Sequence, residues 1–210
     1  MTAGPALVAP APLDAGARNR FFGALLLWGA VVAVLSAAGL TRAISPRLIP
    51  VPIAGGMLAL LLAYRFSPRV HALLRHTDIR HLTWFNGWRI LAALAFFAAG
   101  ARGLLPEVFV QRAAWGDLVA GILGLLVPML LPPGARFRRP GFLAFHLLSF
   151  ADFVSAVGTG IALNVQREPL MANIRDFPIA LIPMWGVPIT GAVSLIALWR
   201  CFTEQRLDGR

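Results

Sequence analysis

The chain has 210 residues, 58% of them hydrophobic and only 13% charged, about half the roughly 25% usual for a soluble domain. That leaves too little polar surface to cover a soluble globule, and it fits an all-α bundle of about six transmembrane helices of ~20 residues each. All 19 basic residues are arginine and the formal net charge is +10; because they punctuate apolar segments instead of gathering on one soluble face, they point to loops flanking a membrane and not to nucleic acid.

Residues 1–17, MTAGPALVAPAPLDAGA, are rich in Pro, Ala and Gly and read as a disordered tail. Arg18 and Arg20 then precede a charge-free run, the first predicted helix, near 21–40. Ser36-Ala37-Ala38 loosely resembles a signal-peptidase site, but five further apolar segments make an uncleaved first helix the better reading. Those segments predict helices near 48–64, 82–101, 113–131, 141–163 and 177–199. Residues 18–203 thus read as one six-helix domain, with a C-terminal tail at 204–210. Pro50 and Pro52 fall in the opening of the second helix, where proline is tolerated, whereas Pro183 and Pro188 inside the sixth predict a kink.

Between the second and third helices, SPRVHALLRHTDIRHLT predicts an interfacial helix near 67–81. Ser67 caps it and Pro68 takes its first position. Val70, Leu73 and Leu74 would lie on the membrane while Arg69, Arg75 and Arg80 meet anionic lipid headgroups. His71, His76 and His81 recur every five residues, which scatters them by about 140° per step around a helix, so no shared metal site is expected. The lone Cys201 excludes an intrachain disulfide and a thiolate metal cluster. Counted over alternate loops, twelve arginines fall on the side of the N-terminus and six on the other, which predicts both termini in the cytoplasm.

Arg89, Asp117 and Asp152 interrupt runs otherwise apolar enough to cross a bilayer, where a charge costs roughly 2.5–3.5 kcal/mol on insertion scales. Each lies on a small or polar stripe of its own helix. Arg89 aligns with Ala93, Phe96, Gly100 and Gly103; Asp117 with Gly121, Gly124 and Pro128; Asp152 with Ser149, Ala156 and Thr159. Such stripes invite close helix approach, so the third, fourth and fifth helices are expected to pack with these charges inward. At about 1.5 Å per residue, Asp152 lies about 18 Å from the cytoplasmic end of its helix. Arg89 lies about 10 Å from that side and Asp117 about 7 Å from the other. Asp152 is then the midplane carboxylate. Arg89, behind Trp84, Phe85 and Trp88, reads equally as an interfacial anchor, and Asp117 equally as a helix-start carboxylate. His146 precedes Asp152 by six residues, about 120° around the axis, so only Ser149 could bridge them. No other apolar segment holds a second histidine, which argues against haem. Thr190 and Ser194 add a weak polar face to the sixth helix.

Over GWRILAALAFFAAGARGLLPEVFVQRAAWGD the chain resembles a group of small, uncharacterised bacterial polytopic integral membrane proteins. The shared features are an arginine entering one helix (Arg89), an LP-x-x-F turn (Leu105, Pro106, Phe109) and a Gly-Asp pair (Gly116, Asp117). Asp152 and LIPMWGVP are similar too, and the resemblance spans roughly 84–200. Where those relatives carry a histidine in the last helix, this chain has Ser194. The resemblance implies a multi-pass protein of the bacterial inner membrane and no particular activity.

The expected function is that of a non-catalytic accessory or scaffold component of a membrane complex, with the lipid bilayer and a homodimer or larger complex as partners. No catalytic residue, cofactor or metal ligand is expected. The alternative is a small proton-coupled transporter that uses Asp152, with Arg89, Asp117, His146 and Ser149 around it. A membrane-embedded enzyme ranks lower, because no nucleophile–base, metal or phosphate motif is recognisable.

Overall fold

Apolar runs punctuated by arginine and proline fold into helices here, in a computed structural model that describes residues 15–133, 135 and 138–204. Most of the tails expected at 1–17 and 204–210 lies outside the described residues. The α-helices are α1 (Ala15–Ala37), α2 (Pro50–Phe66), α3 (Pro68–His76), α4 (Ile79–Trp84), α5 (Arg89–Ala101), α6 (Glu107–Leu130), α7 (Arg138–Val165) and α8 (Val187–Thr203), and no strand occurs among the described residues. Among the described residues, six spans are long and apolar enough to cross a membrane.

Local chemistry explains most boundaries. Proline opens α2 and α3, where its missing N–H would have had no partner. The Val70 N–H donates to Ser67 Oγ at 3.4 Å, and the Arg80 N–H to Asp78 Oδ1 at 2.9 Å, capping α4. At the far end of α5, Gly103 adopts φ 66°. The Leu104 N–H returns to Ala99 O at 2.9 Å and the Gly103 N–H to Gly100 O at 2.9 Å, a Schellman closure that needs a left-handed residue. Arg167, at φ 60°, closes α7 in the same way.

Several sequence expectations are corrected. The interfacial helix expected at 67–81 divides at Thr77-Asp78, because Asp78 starts a new helix. That helix, α4, runs through a 3₁₀ turn, Phe85–Trp88, into α5, so the third span begins near Ile79 instead of 82. Leu73, expected against lipid, is buried in protein. The fourth span starts at Glu107 and not near 113, since Glu107 can occupy a first helical turn at no cost to the dipole. The kink expected from Pro183 and Pro188 takes the form of a π-helical turn, Ile182–Gly186, at the head of α8. The sixth span accordingly covers Ile182–Thr203 and not 177–199.

In space α5 packs on α6, α6 on α7, α7 on α8 and α8 on α2. The last span is the central one: 72% of its apolar window is buried, against 11% for each of the first two. α1 is peripheral, resting on α3 and on the π turn, where Gly29 lies under the Trp185 ring. The Trp185 Nε1–H donates to Leu25 O at 2.8 Å.

Arginines tie the helix ends. Fully buried Arg200 donates from Nη1 to Leu74 O at 2.9 Å and Thr77 O at 2.6 Å, and from Nε to Glu204 Oε2 at 2.8 Å. Arg138 donates to Leu131 O at 2.9 Å and to Asp78 at 2.7 Å. Arg139 donates to Cys201 O and, at 2.9 Å, to Phe202 O. At the opposite end Arg175 donates to Arg42 O and Ile44 O, and Arg42 pairs with Asp176. Carbonyls that a helix terminus leaves open are thus closed by guanidinium groups.

The contact of α5 and α6 depends on glycine. A Cβ on Gly121 would lie 2.8 Å from the Ile90 backbone N, and one on Gly124 2.8 Å from Asn86 Cβ. Backbone cannot rotate away, so Gly121→Ala should destabilise the purified protein by about 1–3 kcal/mol. Gly158→Ala, with nothing within 4 Å of its added methyl, should be neutral or stabilising by up to about 1 kcal/mol. Thermal melts of the two variants in the same detergent should separate them in that order.

Candidate functional site

One helical face runs unbroken through α4, the 3₁₀ turn and α5, and it buries Ile79, Thr83, Asn86, Arg89, Ala93 and Phe96. Spacings of three and four keep these residues in line, and a 3₁₀ turn eclipses positions three apart, which stacks Asn86 beneath Arg89. The glycine stripe of α6 lies against this face, and its Asp117 projects beside Arg89. From the other flank α7 supplies His146, Ser149 and Asp152, and α8 supplies Ser194.

The guanidinium of Arg89 joins three helices. Its Nε donates to Asp117 Oδ1 at 2.7 Å, its Nη1 to Ser149 Oγ at 3.0 Å, and its Nη2 to Asp152 Oδ2. Arg89 is 3% exposed, and the Asp117 and Asp152 side chains are 12% and 15% exposed. Gly116 leaves the room this requires, since any Cβ there would overlap the Asp152 carboxylate. With both acids ionised the cluster has one positive and two negative charges.

The network continues through hydroxyl and amide groups. Ser149 donates to Asn86 Oδ1 at 3.0 Å, and Ser194 Oγ lies 3.4 Å from Ser149 Oγ. Asn86 Nδ2 donates to the carbonyls of Leu82 and Thr83, both at 3.3 Å. One turn away, the Thr83 hydroxyl donates to Ile79 O at 2.9 Å and stands 3.1 Å from His146 Nε2. Having one hydrogen, already committed to Ile79, Thr83 must accept from His146, which places the imidazole proton on Nε2. Nδ1 of this fully buried ring has no partner among the described residues.

Of the residues singled out in the sequence, Arg89, Asp117, Asp152 and Ser149 are brought together. His146 is not: it bonds to Thr83, and Ser149 turns to Arg89 and Asn86 instead of bridging it to Asp152. Both interfacial readings fail. Arg89 is buried ten residues into its span and Asp117 ten residues into α6, each about 15 Å along, so all three charges share one level in the middle of their helices. Asn86 and Thr83 were missed by the sequence reading. Their signal is spacing, three and six residues before Arg89 on the same face, hidden by the aromatic residues between them.

A narrow cleft of about 60 Å³ leads to this cluster. Its walls come from α2 (Ile53), α6 (Phe109, Ala113), α7 (Phe153, Val157) and the head of α8 (Val187), and Arg89 and Asp117 lie at its inner end. Asp152 does not line it. Trp88, also in the wall, donates from Nε1 to Thr190 Oγ1 at 3.0 Å, and Thr190 donates to Gly186 O at 2.9 Å.

The chain belongs to a family described as a domain of unknown function (DUF8737), whose model matches residues 46–202. Every member of the cluster and every wall of the cleft falls inside that match, whereas α1 falls outside it. No curated protein and no solved structure matches the chain.

Removing one partner of a buried ion pair leaves the other charge uncompensated, at a cost of about 3–5 kcal/mol. Arg89→Leu should therefore destabilise the protein by about that amount, here with two acids left unpaired. Arg89→Leu combined with Asp117→Leu and Asp152→Leu should recover most of the loss. Melting temperatures of the single and triple variants in one detergent check this, and a triple variant no better than the single would refute it.

Proposed function

We propose that the chain is a multi-pass integral membrane protein of the bacterial inner membrane, with both termini cytoplasmic, acting as a non-catalytic accessory or scaffold component of a membrane complex. The carrying observation is that Arg89 engages Asp117, Asp152 and Ser149 together. The charges face each other and hold α5, α6 and α7 in register, and the cluster contains no nucleophile with an adjacent base.

The outer surface supports the same reading. α1 and α2 are largely uncovered. Between α1 and α5 lies a groove of about 620 Å³ lined by Ser36, Ala37, Ala38, Ala95, Ala98 and Ala99, with Arg42 and Arg102 at its rim. Side chains this small let a helix backbone approach closely. A second reading, a small proton-coupled transporter, draws on the cleft, which reaches Asp117 and Arg89 and not Asp152.

Extraction into native-lipid nanodiscs should yield the chain in a defined dimer or larger complex, read by mass photometry and by peptide sequencing of the band. Ala98→Trp, which fills the groove from an exposed position, should release monomer without lowering the melting temperature. A monomeric parent protein with no associated chain would overturn the accessory reading.

A further inference from the structure

The cleft serves no packing purpose, yet its inner end is built from the charged cluster. Four features define what it suits. Its walls are apolar and it reaches the bundle surface at Ile161, which is 42% exposed. It is slender: about 60 Å³ is the room of a few water molecules, which admits the first few methylenes of an extended single chain, the remainder lying outside the bundle, and no branched or multi-ring body. Aromatic rings of Trp88, Phe109 and Phe153 lie along it, whose π-faces attract cations. At its end the Asp117 carboxylate commits Oδ1 to Arg89, while Oδ2 takes no hydrogen bond among the described residues.

Charge decides between ligand classes. One guanidinium faces two carboxylates, so the cluster carries one uncompensated negative charge when both are ionised. A fatty carboxylate would add to that surplus and confront Asp117 directly. A neutral chain would fill the walls and leave the surplus untouched. A primary ammonium group offers three N–H donors and one positive charge, and so satisfies Asp117 Oδ2 and brings the cluster to neutrality.

We propose that this cleft is a binding site for a single-chain primary alkylammonium, its chain between α2 and α7 and its ammonium on Asp117. The site stands on the cleft and the cluster alone, whether or not the chain has a protein partner.

The test uses the full chain in phosphatidylcholine nanodiscs at neutral pH, with isotope-labelled dodecylamine, dodecanol and dodecanoate as probes and empty nanodiscs as the partition control. Dodecylamine should bind saturably at one site per chain, at least tenfold more tightly than either of the others. Asp117→Asn should weaken dodecylamine binding at least tenfold. Gly160→Val narrows the cleft from a position where an added Cβ would make only ordinary contacts, with Phe109 at 3.5 Å and Met171 at 3.7 Å. It should weaken binding to the same degree with an unchanged melting temperature, and it decides the matter should Asp117→Asn fail to fold. Equal binding of all three probes, or full binding by Gly160→Val, would overturn the proposal.

Discussion

A single guanidinium shared by three helices is the interaction on which this architecture turns. Arg89 is held by Asp117 of α6 and by Asp152 and Ser149 of α7, so a small rotation or slide of any one helix breaks a charged contact at the centre of the bundle. In an apolar surrounding that penalty is large, because each group left alone has neither water nor a partner. Apolar packing has no such direction, because it follows the area buried and not the register of the helices. Directional polar contacts therefore set register where hydrophobicity cannot. Gly121 and Gly124 complete the arrangement by letting α6 lie directly on the backbone that carries Asn86 and Arg89.

The same economy governs the helix ends. Arg200, Arg138, Arg139 and Arg175 donate to backbone carbonyls of neighbouring elements, with the fork geometry that lets one guanidinium serve two acceptors. The last four carbonyls of a helix lack intrahelical partners, and those packed against a neighbouring helix need a donor from the protein. Arginine, always charged and rich in donors, closes them and links separate elements of the bundle in one step. Two of the arginines counted for orientation, Arg138 and Arg200, are thus buried structural donors and not loop charges facing headgroups.

Composition and periodicity made the helical class, the six spans and the inward stripes legible, because each depends on residues close together in sequence. The membership of Arg89, Asp117 and Asp152 in one cluster was legible as well, from charge on a small-residue stripe. The depth of Asp152 was legible too; the depths of Arg89 and Asp117 were not. Glu107 and Arg112 made the opening turns of α6 read as loop, which placed Asp117 near a surface, and the aromatic run Trp84–Trp88 made Arg89 read as an anchor. Both have one cause: charged or aromatic residues resemble the end of a span in sequence, while the helix continues through them. The His146 contact with Thr83 and the cleft were beyond reach, since they depend on helices distant in sequence, 63 residues for Thr83 and His146, coming to a particular separation.

The cleft lies where packing and electrostatics conflict. α7 must follow α6 closely enough for Asp152 to reach Arg89 past Gly116, and α8 closely enough for Ser194 to approach Ser149. Beyond that level the short residues Ala156 and Gly160 do not span the remaining gap to α2, and Ile53, Phe109 and Val187 line the space without filling it. A well-packed interior closes such gaps with larger side chains, and alanine and glycine at these positions do the reverse. The gap also ends on Asp117, a carboxylate with an oxygen to spare. An unfilled apolar space would by itself be a packing defect; one that terminates at surplus charge has both the shape and the polarity of a site, and all of it lies within the part of the chain that the family covers.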